Sequence, residues 1–129
     1  MIALHNPASM RAVLDARLEP ELRNLLTERI QDAAESDVLN MTTFLVVEPG
    51  DREQDIVDEI GLSPLVNPID GARYGAATFH PYWDLLCDRG AYFEMIICVG
   101  SSGFAYDLIL SASDEMQQEL VALCREYAE

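Results

Sequence analysis

Asp70, Arg73, His80 and Asp84 are the residues whose types and spacing suit chemistry. They fall in the stretch "DGARYGAATFHPYWD", after Pro64 and Pro68, where prolines and glycines break any regular period. An imidazole and two carboxylates can take up and release protons, and a guanidinium can hold an anion. Asp84 follows His80 by four residues, so the two share a face if a helix begins by His80. An irregular segment this long inside a compact domain is often functional. These residues also have ordinary uses: His80 capping or packing, and Asp84 meeting solvent. Trp83, with Tyr74, Phe79 and Tyr82, concentrates aromatic surface beside the same segment. Such a group serves as an interface anchor or as cover for a sheet.

Other candidate chemistry falls away on spacing. Cys87 lies seven residues after His80, about 10 Å of helical rise, which is too far for direct proton transfer. No G-x-S-x-G elbow, H-E-x-x-H pair or dinucleotide fingerprint occurs. Gly100-Ser101-Ser102-Gly103 is followed by a strand-like run and the chain has no lysine, so it reads as a turn and not as a phosphate loop. Cys87, Cys98 and Cys124 are odd in number and widely spaced. They suit core thiols in a reducing compartment better than zinc or disulfides. The expectation is no catalytic residue, no metal and no cofactor.

Two further carboxylates sit inside apolar runs: Glu94 and Asp107 in "AYFEMIICVGSSGFAYDLIL". Alternation places Phe93, Met95, Ile97 and Val99 on one face, and Phe104, Tyr106, Leu108 and Leu110 must share it. Pairing Val99 with Phe104 does this, and then Ile97 meets Tyr106 and Met95 meets Leu108. A slip of one residue would turn one apolar set to the wrong side. In this register Ile96 opposes Asp107 and Glu94 opposes Ile109. Glu94 and Asp107 become diagonal neighbours, roughly 7–8 Å apart at Cα. The expectation is a half-exposed face carrying two solubilising acids. If that face is covered, the two carboxylates need partners.

The elements that position these residues are legible in outline. Asn6-Pro7 caps and starts a helix, and the N-terminal "MIALHNPASMRAVLDARL" reads as helix without the apolar centre of a secretory signal. Pro20 starts a second helix with Leu22, Leu25, Leu26, Ile30, Ala33 and Ala34 on one stripe. "MTTFLVV" reads as a strand buried on both faces. Asp51 with Gln54 forms a capping-box-like start to a helix that Gly61 ends. Residues 74–79 can hold a short strand, and Pro81 to Gly90 a brief helix. Ser113 caps a last helix with Met116, Leu120, Leu123, Cys124 and Tyr127 inward.

The 129 residues are half hydrophobic, enough for one real core, and carry a formal charge of −15. The acids cluster at 48–59 and 107–129. Such a surface repels phosphate backbones and anionic lipids, so no nucleic acid and no membrane is expected as a partner. It attracts a basic protein partner, with Asp51, Glu53, Asp55, Asp58, Glu59 and Trp83 the candidate interaction residues. No apolar run reaches membrane-span length, which with the cysteines points to a soluble, cytoplasmic protein.

Together these features predict one α+β domain over 1–129. Its small mixed sheet has three to four strands, including a C-terminal β-hairpin (about 92–99 and 104–111). N-terminal helices and a C-terminal helix pack the sheet, on the Phe93/Phe104 face. The expected function is a non-enzymatic acidic interaction module binding a basic protein partner, of immunity, antitoxin or adaptor type. The alternative is a small enzyme or small-molecule binder using the irregular 67–84 segment, and a homodimer through the outer hairpin face or the Trp83 region is a third possibility. With helices ahead of strands and an apolar–Gly-x-x-Gly–aromatic hairpin on a small acidic chain, the arrangement resembles that of the SUKH bacterial immunity proteins. The resemblance covers the hairpin and implies no residue role.

Overall fold

The β-branched, apolar run "TTFLV" forms the inner strand it predicts. The computed structural model describes residues 1–66, 71–73, 91–98 and 104–128. In it, strand β2 (Thr42–Val46) lies between β1 (Ile2–Leu4) and β4 (Ala105–Leu110), with β3 (Phe93–Cys98) beyond β4. β1 runs antiparallel to β2, β2 runs parallel to β4, and β3 runs antiparallel to β4. Around this four-stranded mixed sheet lie α1 (Pro7–Leu14), α2 (Pro20–Glu35), α3 (Glu53–Ile60) and α4 (Glu115–Ala128). The class is α+β, as expected. β1 was not: Ile2-Ala3-Leu4 forms a strand, while the first helix starts at Pro7 behind its Asn6 cap, as expected.

The hairpin register agrees with the alternation argument. Met95 pairs with Leu108, Ile97 with Tyr106, Ile96 with Asp107, and Glu94 with Ile109. The Val99–Phe104 pair lies outside the described residues at Val99. Phe104 itself precedes β4 and is 52% exposed, so it is not part of the core face it was assigned to.

The sheet is covered on both sides, not one. Leu45, Met95, Ile97, Leu108 and Leu110 pack with Ile56 and Ile60 of α3 and with Leu120, Val121 and Cys124 of α4. On the other side Leu4, Phe44, Val46 and Ile109 pack with Met10 of α1 and with Leu22, Leu25, Leu26 and Ala33 of α2. β2 therefore feeds Phe44 and Val46 into one core and Leu45 and Val47 into the other. A parallel central pair is normally buried on both faces, because its crossover places a helix on the sheet. The N-terminal helices thus cover the face that was expected to be open.

Local chemistry sets most of the boundaries. Asn6 caps α1 through a reciprocal pair: Ser9 N–H donates to Asn6 Oδ1 at 2.9 Å, and Asn6 N–H to Ser9 Oγ at 3.3 Å. Pro20 stands in the first turn of α2, and Glu19 accepts from Leu22 N–H at 3.2 Å. Gly61 ends α3 in the left-handed conformation at φ 78°, where a side chain would be strained. Two caps shift by one residue from expectation. At α3 the pair is Arg52 and Asp55, with Arg52 N–H donating to Asp55 Oδ2 at 2.8 Å. Asp51 instead accepts from Glu48 N–H at 2.8 Å. At α4 Asp114, not Ser113, accepts from Gln117 N–H at 3.0 Å.

Gln117 fastens α4 to the end of β4. Its side chain is fully buried. Its Oε1 accepts from Ser111 N–H at 2.7 Å, and its Nε2 donates to Ser113 Oγ at 3.0 Å. A buried amide satisfied at both ends holds a fixed geometry, since losing either partner leaves a desolvated polar group.

Candidate functional site

The covered face brings Glu94 and Asp107 into the interior. Glu94 is fully buried and Asp107 is 3% exposed. Their counter-charge comes from α2: Arg29 Nε lies 2.8 Å from Glu94 Oε2, and Arg29 Nη1 donates to Asp32 Oδ2 at 3.2 Å. The Nε approach to Glu94 is off the N–H axis, so this contact is an ion pair without a well-formed hydrogen bond. Burial opposes the charge on Arg29, but the negative charge of Glu94, reinforced by Asp107, holds its guanidinium above the ordinary value. A hollow of about 210 Å³ opens beside Arg29 and Asp107. Arg29 Nε and Nη2 and both Glu94 oxygens are nevertheless sealed from solvent. The pair is therefore a tie between α2 and the hairpin.

The signal for Arg29 was present in the sequence. It stands three residues after Leu26 and four before Ala33, within the apolar stripe of α2. A charge at a stripe position needs a buried partner.

The second concentration of charge lies at the opposite layer, where the N-terminal ends of α3 and α4 meet. A hollow of about 370 Å³ opens there, walled by Asp51, Glu53, Asp114, Glu115 and Glu119 with Leu65 among its apolar residues. Asp114 ties the two loops by accepting from Gly50 N–H at 3.0 Å. Ser63 Oγ donates to Glu53 Oε1 at 2.6 Å and orients that carboxylate. Arg73, held by a backbone bridge to Val66, reaches Glu53 at 3.0 Å and Glu119 at 3.2 Å.

The candidate interaction acids are not equally available. Asp55 pairs with Arg52 at 3.1 Å, and Glu59 Oε1 lies 2.6 Å from His5 Nε2. Asp51 lies 3.1 Å from the amino group of Met1. Asp58 accepts from Gln54 Nε2 at 2.8 Å. Of the four residues singled out for chemistry, Arg73 is placed against Glu53 and Glu119. Asp70, His80 and Asp84 lie outside the described residues, as do Trp83, Cys87 and the segments read as a short strand and a brief helix. Cys124 is a buried thiol of the α4 core. Among the described residues no cluster of His, Cys, Asp and Glu has metal-holding geometry, and no helix is long and apolar enough to cross a membrane.

Two carboxylates at this rim titrate low. The Ser63 hydrogen bond, with that of Arg73, holds Glu53 below its ordinary 4.5. The backbone N–H groups of Gln117 and Gly50 hold Asp114 below its ordinary 3.8. A folded value below the unfolded one contributes stability that is complete above the unfolded value and is lost as pH falls through the folded value. The urea midpoint is therefore expected to fall on acidification below 4.5. Glu53→Gln and Asp114→Asn should each flatten that fall. Profiles as steep as that of the unaltered chain would assign the acid sensitivity to other groups.

No family model matches the chain, and neither a curated protein nor a solved structure is significantly similar to it.

Proposed function

We propose that this protein is a non-enzymatic interaction module that binds a basic protein partner through its acidic α3/α4 face. The observation that carries the reading is the 370 Å³ hollow where two helix starts converge, walled mainly by carboxylates from both. Acids outnumber cations there, and the chain as a whole carries −15. A field of one sign over a concave surface raises the local concentration of oppositely charged partners and speeds their arrival. Much of the α3 charge is already paired within the chain, so the binding surface centres on the carboxylates around the hollow and not on α3 alone. A homodimer is a separate proposal, tested by light scattering.

The reading is tested by capture of basic proteins on the immobilised chain at low salt, followed by elution as salt rises. The expected result is retention that is lost when the Debye length shrinks well below about 10 Å. It should also be reduced in a Glu115→Gln, Glu119→Gln variant. Retention that high salt leaves intact would count against a charge-driven interface.

A further inference from the structure

We draw no further inference here: the strongest candidate, the hollow of about 210 Å³ between the C-terminal half of α2 and the starts of β2 and β4, lined by Arg29, Val38 and Asp107 among others, carries nothing because the Arg29 Nε and Nη2 beside it are sealed from solvent and nothing in the structure shows what covers it.

Discussion

Arg29→Met is expected to lower the unfolding free energy by about 3–5 kcal/mol, the cost of removing one partner from a buried ion pair. Methionine keeps most of the packing volume, so the loss isolates the charge. Glu94 is fully buried, and Arg29 is its counter-ion at 2.8 Å. Without Arg29, Glu94 and the neighbouring Asp107 lose the cation that α2 supplies to both. Two comparisons make the expectation specific. Asp32→Ala removes the outer carboxylate on Arg29, which is 53% exposed, and should cost less than about 1 kcal/mol. Arg29→Met combined with Glu94→Met should be more stable than Arg29→Met alone, because replacing a buried pair by apolar side chains is often near neutral. Urea unfolding with an unchanged denaturant dependence measures all three. A loss below about 1 kcal/mol for Arg29→Met would mean that the pair is solvated and that α2 does not seal the hairpin face.

Ile109→Ala should cost about 2–5 kcal/mol, comparable to Leu108→Ala one residue earlier. The two side chains point to opposite faces of β4. Leu108 enters the core under α3 and α4, and Ile109 enters the core under α1 and α2. Both are fully buried. A sheet covered on one side would give a large loss for Leu108 and a loss within about 0.5 kcal/mol for an exposed Ile109. Equal losses are the signature of three layers. A small loss at Ile109 alone, measured by the same urea unfolding, would restore the two-layer arrangement that the alternation suggested.

The contrast between Ile109 and Leu108 also marks where sequence reasoning stops. Alternation says which residues share a side of a hairpin, and the pairs Met95–Leu108 and Ile97–Tyr106 follow from it. It says nothing about what lies above each side. Glu94 and Asp107 looked like surface acids because most half-buried acids are. The stripe of α2 held the contrary sign, since Arg29 interrupts Leu22, Leu25, Leu26 and Ala33 at helical spacing. Reading it required bringing a helix and a hairpin distant in sequence onto one face.

The rim of the hollow repeats the lesson. Arg73 was legible as a candidate site cation, but its contacts were not. Glu53 lies twenty residues before it and Glu119 forty-six after. Helix starts and stops, by contrast, depend on neighbours a few residues away. Asn6 with Ser9, Pro20 in its first turn and Gly61 at its left-handed stop all stand where local chemistry places them. The one-residue shifts put Asp55 where Gln54 was expected and Asp114 where Ser113 was expected, each a neighbouring side chain that accepts from a helix-start N–H group. The three-residue strand Ile2–Leu4 escaped notice because it is too short to show a period, and its pairing with Phe44–Val46 is non-local.

By itself, then, the sequence determined the α+β class, the hairpin register, the principal helix boundaries and the excess of negative charge. Each depends on short-range sterics, on hydrogen bonds within a few residues or on composition alone. The tertiary structure decided that both sheet faces are covered, that Arg29 answers Glu94, and that Arg73 joins Glu53 to Glu119. These pairings depend on how separate elements pack, and a buried or bridging charge takes its meaning from the partner that the fold brings to it.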